Sequence, residues 1–299
     1  MSASTDSHSF RRLLNRPGGA YRDYVLSASR FAGLLEFLRA QLPDDSFEDA
    51  LDIGCGAGVV SRGLAEAFKR VIGVDQNPDN VSLAQSIADE HEVRNVEFRS
   101  GTAQSLPVES GSMDLAVLNG VLEWVGLNNE GRNPNAIQQQ VLGEMFRVVR
   151  PGGWLYVGIE NRWYPRTLLR DPHVGLPLVD ALPRPLANVL SKAISKRPFQ
   201  AYIYGHRKLR RMILGAGFSE VSVFSPFTGY QFPLLYIPIR PRAEALRTIA
   251  AINESQLIEA LRTAGRTNDA SVVIARLRRR ARWGMLGLLT HDFAFLCKK

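Results

Sequence analysis

Cysteine is nearly absent: Cys55 and Cys297 are the only two in 299 residues. Two cysteines build no disulfide framework and offer no metal-ligand spacing. A disulfide-stapled secreted scaffold is excluded on that ground, and a reducing, cytoplasmic compartment is the expectation. Long apolar runs are missing too. No stretch approaches the ~18 residues that a membrane span needs. The first twenty residues carry Arg11, Arg12 and Arg16 but no apolar core of a secretory signal. They read as a polar tail, with a weak transit peptide as the alternative. Histidine is scarce, with five in the chain, so few groups could act as a general base near neutral pH.

The second half is also short of acid. Residues 151–299 hold 23 Lys and Arg against 9 Asp and Glu, whereas residues 1–150 hold 14 against 20. A net charge of −6 is thus followed by +14. Such asymmetry turns the second half toward an anion: a phosphate- or carboxylate-bearing substrate, an anionic lipid surface, or nucleic acid. A solvated basic face is the bland alternative.

What the sequence does contain is alternation. An amphipathic helix is expected over 21–42, closed by Pro43. Short apolar strands follow at Ala50 to Ile53, Val71 to Val74, Val96 to Arg99, Asp114 to Asn119 and Trp154 to Ile159, with helical stretches between most of them. The interior of the fourth, Leu115 to Leu118, is wholly apolar, as a parallel strand buried on both faces should be. The pattern predicts a doubly wound α/β domain with right-handed crossovers. After Glu160 it loosens into a basic, aromatic and proline-rich stretch, then helices and a last strand at Phe293 to Cys297.

The first strand turns into its helix through Gly54-Cys55-Gly56-Ala57-Gly58. Glycines let a backbone approach a ligand closely. The dinucleotide fingerprint would need a glycine at Val59, so a nicotinamide dehydrogenase is disfavoured. Asp75, at the carboxyl end of the second strand, is placed to accept ribose hydroxyls; a helix cap is the alternative. Asp52 beside the glycines suits a cationic amino group and would repel a pyrophosphate. Ligands of open α/β sheets bind outside the strand carboxyl ends, which adds Thr102, Ala103, Asn119, Gly120, Glu160 and Asn161 to the crevice.

With these residues in place the chain resembles the class I S-adenosylmethionine-dependent methyltransferases. The resemblance rests on 51–58, on Gly73-Val74-Asp75, on Leu106-Pro107, on 119–125 and on Arg147 to Gly153. It implies a seven-stranded, mostly parallel, Rossmann-like sheet whose last strand is antiparallel, with a helical lid and insertion. It also implies S-adenosylmethionine as cofactor, held by Asp52, Gly54, Cys55, Gly56, Gly58, Asp75, Gln76, Thr102, Ala103, Asn119 and Gly120. Two departures stand out. Thr102 replaces a common Asp at the adenine edge, and Trp124 replaces a common His and is expected to wall the pocket. A narrower resemblance, through 158–162, Asp171, His173, 182–184 and 216–218, points to bacterial enzymes of sugar and cell-surface glycan pathways.

The expected organisation is a tail and helix (1–44), a cofactor-binding core (45–160) and a basic, substrate-facing remainder (161–299). Among the histidines, His173 in the lid is the preferred general base, ahead of His206 and His291. Glu160 is its catalytic companion, and Asn161, Arg162 and Arg166 are the substrate contacts. The run Arg276 to Arg282 reads as a helix with a solvated basic face, with membrane-surface docking as the alternative. The activity expected is O-methylation of a hydroxyl on a sugar, glycan or other small metabolite. RNA methylation is disfavoured because no RNA-binding module is visible. A non-catalytic partner subunit is disfavoured by the intact glycines and Asp75.

Overall fold

In the computed structural model the described residues are 29–126, 133–169, 176–196, 199, 202–263 and 269–299. Helix α1 (Ser29–Gln41) precedes strand β1 (Asp49–Ile53), helix α2 (Val59–Leu64), β2 (Arg70–Asp75), α3 (Pro78–Glu90), β3 (Val96–Ser100), β4 (Met113–Asn119), α4 (Pro134–Val148) and β5 (Val149–Glu160). The lid region holds α5 (Pro165–Leu169) and α6 (Arg184–Ser195). Then come α7 (His206–Gly215), β6 (Glu220–Phe227), β7 (Leu235–Pro238), α8 (Arg242–Ala250), α9 (Glu254–Thr263), α10 (Ala270–Arg282), α11 (Leu286–Leu289) and β8 (Asp292–Lys298).

The eight strands form one sheet in the order β3-β2-β1-β4-β5-β8-β6-β7. The first five run parallel, and β8 lies antiparallel between β5 and β6. The expected sheet had seven strands. The eighth is β7, which pairs antiparallel with β6. It lies in a proline- and aromatic-rich stretch expected to belong to the helical insertion, and its four residues are too few to show a strand's alternation.

The apolar strands follow from the layers. Helices cover both faces of the sheet, so successive residues of one strand enter opposite cores. Leu51, Ala116, Leu118, Leu155 and Val157 pack with α4 and α7. Ala50, Leu115, Val117 and Tyr156 pack with α1, α2 and α3. The helix starts are legible: Asn77 and Asn133 each accept a hydrogen bond from the second residue beyond, with proline at the first helical position. A third core, around Ile237, Ile249, Leu257 and Ile274, joins the insertion α8–α10 to the β7 edge. Helix α10 buries Val273, Ile274 and Leu277 there and leaves Arg276, Arg278 and Arg279 exposed, so its basic run is a solvated face on a packed helix. Among the described residues no helix is long and apolar enough to cross a membrane.

The added strand is tied across the sheet. Phe37 of α1 stacks on Tyr236 of β7 with ring centroids 4.0 Å apart. The buried Tyr156 and Tyr236 hydroxyls share a hydrogen bond of 3.1 Å. Removing one partner leaves a buried hydroxyl unsatisfied; removing both does not. Tyr156→Phe should therefore cost about 1–3 kcal/mol, and the Tyr156→Phe/Tyr236→Phe pair should cost less than the two single changes summed. Urea denaturation of the three variants checks this.

Candidate active site

The glycine loop leaves β1 with Gly54, Gly56 and Gly58 all at positive φ. Two of them answer to different constraints. A Cβ on Gly58 would overlap the Phe98 ring at 2.6 Å, so this glycine lets α2 approach β3. A Cβ on Gly56 would meet nothing within 4 Å. Its side faces open space and its backbone is held elsewhere: Gly56 N–H donates to Asp75 Oδ2 at 2.9 Å. Asp75 Oδ1 accepts from the Asn77 N–H at 2.9 Å and the Asn80 amide at 3.2 Å. A carboxylate offers about four lone-pair sites, so Oδ2 keeps capacity toward the cleft.

That cleft holds about 420 Å³, within the range of about 300–1,000 Å³ usual for small-molecule sites. Ile53, Val121, Trp124 and Val125 supply apolar wall; Asp75, Gln76, Thr102 and Gln104 supply polar groups. Apolar walls together with a carboxylate among the lining residues give the cleft the chemistry to accept a nucleoside. Gly54 and Ala103 complete the lining. Trp124 walls the cleft as the sequence predicts.

Asp52 is not among the residues that line the cleft. It is 3% exposed and accepts from Ser61 Oγ of α2 at 2.6 Å. On β1 it shares parity with Ala50, while the cleft-lining Ile53 has the opposite parity. Cys55 is buried as well; desolvation, with Asp52 and Asp75 nearby, pushes its thiol far up, so it stays protonated.

Asn119 and Gly120, at the end of β4, lie beneath Tyr230. A Cβ on Gly120 would meet the Tyr230 hydroxyl at 2.8 Å, and the Asn119 amide donates weakly to the Tyr230 carbonyl at 3.5 Å. Tyr230 opens onto a buried acidic group. Its hydroxyl lies 3.5 Å from Glu123 Oε1, and its N–H donates to Asp292 Oδ2 at 3.0 Å. Glu160 sits opposite Asp292 in the β5–β8 register. Burial raises the Tyr230 phenol well above its ordinary value, and Glu123, Glu160 and Asp292 add to that, so it remains a protonated donor.

His291 completes the group. Its Nδ1 lies 2.5 Å from Asp292 Oδ1. The hydrogen bond to Asp292 raises the imidazole above its usual value, burial works against it, and the charges of Asp292 and Glu160 raise it further. Burial pushes the Asp292 carboxyl up, while His291 and the Tyr230 N–H pull it back.

Two expected contacts, Asn161 and Arg162, fall elsewhere. His173 lies outside the described residues. Asn161 is corrected from substrate contact to packing: it is fully buried, its amide donates to the Thr290 carbonyl at 2.8 Å, and its Oδ1 accepts from the Trp163 N–H at 3.0 Å. The Arg162 guanidinium donates to the Asp180 and Leu182 carbonyls at 2.6 and 3.1 Å, so it pins the lid. Arg166 stays exposed and near enough to His291 to oppose its protonation. Glu123, Tyr230 and Asp292 were not foreseen. The only local signal was the adjacent His291-Asp292, a base beside a group that could orient it.

A doubly wound sheet with a glycine loop, a carboxylate at the end of β2 and an antiparallel strand inserted beside β5 defines the class of S-adenosylmethionine-binding methyltransferase folds. A family model described as a methyltransferase domain matches residues 44–194, half of the chain. The chain belongs to that family, whose cofactor is S-adenosylmethionine. A ubiquinone biosynthesis O-methyltransferase of Azorhizobium caulinodans is 38% identical over 125 residues, which are 39% of this chain and 48% of that protein. A demethylmenaquinone methyltransferase of Oceanobacillus iheyensis is 29% identical over 61% of this chain and 74% of its own length. The chain thus spans about half of the first of these relatives. A solved SAM-dependent methyltransferase of Thermotoga maritima aligns over 98% of this chain and 99% of its own, with a TM-score of 0.50 at 19% identity, a likeness of fold.

The two glycine roles separate by experiment. Gly56→Ala should weaken S-adenosylmethionine binding in a calorimetric titration and cost only the roughly 1–2 kcal/mol of a left-handed alanine. Gly58→Ala should destabilise more, because the Phe98 ring must move. Equal stability loss in the two would overturn the assignment.

Proposed function

We propose that this protein is an O-methyltransferase that transfers the methyl group of S-adenosylmethionine to a hydroxyl of a small molecule, with His291 as general base. The observation that carries the reading is the His291–Asp292 pair beside Tyr230 and Glu160 at the carboxyl end of the sheet, with Tyr230 packed on Gly120, the residue before the cleft-lining Val121.

The cofactor supplies an electrophilic methyl group on a sulfonium. The chain's part is to position the acceptor, exclude water and take a proton. An oxygen acceptor gains from a base; a neutral amine has a lone pair already. Asp292 orients the His291 ring: with Nδ1–H donating to its carboxylate, Nε2 is the basic atom. The half-exposed ring keeps that nitrogen accessible. Tyr230, held protonated, can donate to the acceptor. The buried carboxylates Glu123, Glu160 and Asp292 suit a site that receives a cation. The O-methyltransferase named among the relatives supports oxygen as the acceptor atom. Sugar, glycan and other metabolite hydroxyls belong to the acceptor class.

The base works neutral, so kcat/KM should rise with pH through a value above the ordinary 6.5 of histidine. Asp292 raises that value, so Asp292→Asn should move the acid limb to lower pH. His291→Gln should lower kcat/KM by about 10²–10⁴-fold while cofactor binding by calorimetry stays as in the parent. Steady-state rates on a panel of hydroxyl and amine acceptors check this. Methylation of amines alone, or an acid limb that ignores Asp292→Asn, would sink the reading.

A further inference from the structure

Behind the lid lies a second, larger concavity that the methyl-transfer site does not use, an open basin of about 1020 Å³. Arg162, Arg207, Lys208, Arg211, Arg240 and Arg242 line it, and among the described residues no Asp or Glu does. Trp163 and Tyr204 add aromatic wall, with the Arg162 guanidinium 5.1 Å from the Trp163 ring and Lys208 Nζ 3.9 Å from the Tyr204 ring.

The placement of these charges runs against helix electrostatics. The amino end of a helix carries a partial positive charge and favours Asp or Glu in its first turn. Helix α7 instead begins His206-Arg207-Lys208, has no acidic residue in that turn, and is preceded by Gly205, which supplies no side-chain cap. The basin therefore gathers the α7 amino end, which has no side-chain cap, and six cationic side chains around its lining. Helix α8, which also starts at the rim, carries Glu244 in its first turn, so α7 bears the argument. His206 reports the same field: burial and the charges of Arg207 and Arg240 hold its imidazole below the ordinary range. Arg207, Arg211 and Arg240 beside this helix amino end repel one another, an anion relieves that repulsion, and a helix amino end flanked by arginines is a phosphate site in its chemistry.

We infer that this basin binds a phosphate-bearing small molecule, its phosphate at the start of α7 among Arg207, Arg211 and Arg240 and its organic part against Trp163. This binding site stands independently of the methyl-transfer reading, because occupancy is measured directly without turnover.

The test is calorimetric titration of the full chain with inorganic pyrophosphate, and separately with phosphatidylglycerol vesicles. The doubly substituted Arg207→Gln/Arg240→Gln removes two exposed cations of the basin. Arg276→Gln/Arg279→Gln removes the same charge from the exposed face of α10, outside the basin. The expected result is saturable binding that weakens about tenfold or more in the first variant, the loss of a charge-assisted hydrogen bond, and stays near the parent value in the second. Binding should also weaken as salt is raised. Pyrophosphate binding with no vesicle binding identifies a soluble phosphate compound. Vesicle binding that pyrophosphate displaces identifies a lipid headgroup. Absence of binding to both probes, or equal loss in both variants, overturns the proposal.

Discussion

The direction of one strand governs the chemistry of this molecule. β8 enters the sheet antiparallel between β5 and β6, so its first residue, Asp292, lies level with the carboxyl end of β5 at Glu160. Any residue just before β8 must then stand where a doubly wound sheet binds its ligands. His291 is that residue. Had β8 run parallel, its far end would have supplied the group and the His291–Asp292 pair would lie at the opposite edge. Two locks hold this arrangement. Asn161, just past β5, bonds the Thr290 carbonyl, and Ser225 of β6 bonds Thr290 Oγ1 at 2.6 Å. The segment that carries His291 is thereby held from β6 and from the end of β5.

The cofactor side depends on a shorter version of the same logic. Asp75 joins β2 to the glycine loop through the Gly56 N–H, so a residue that lines the cleft also sets the loop beside it. A substitution at Asp75 acts on both, which is why loss of binding alone does not separate the two roles. Gly56 separates them, because it has room for a methyl group and lacks only the conformational freedom.

Much of this was legible in the chain. Parallel strands buried on both faces advertise themselves as unbroken apolar runs, and β2, β4 and β5 do so over Val71 to Val74, Leu115 to Leu118 and Trp154 to Ile159. The loop at 54–58 and Asp75 are close in sequence and were read together. Side-chain direction was harder. Asp52 and Ile53 are neighbours on a strand and point to opposite layers, and only the layer in which Ser61 sits decides which one meets the cleft. Asn161 and Arg162 look like substrate contacts by type and position, yet backbone carbonyls distant in sequence engage them. The acidic group was invisible for a related reason. Glu123, Tyr230 and Asp292 come from three separate segments, and no local periodicity joins them.

The charge asymmetry of the sequence resolves into two opposed environments on either side of Asn161. On one side stand buried carboxylates around Tyr230, suited to a cation. On the other stands the cationic basin, suited to an anion. The same short segment borders both: Leu288 lines the basin, and His291, three residues on, belongs to the acidic group. Asn161 clamps the backbone between them. Separation is the physical requirement here. Arginines facing Asp292 directly would stabilise its charge, yet would also lower the pKa of His291 and leave a weaker base. Keeping the basin's cations behind the Asn161 clamp lets one half of the molecule be strongly basic in net charge while the surroundings of His291 inside it stay acidic.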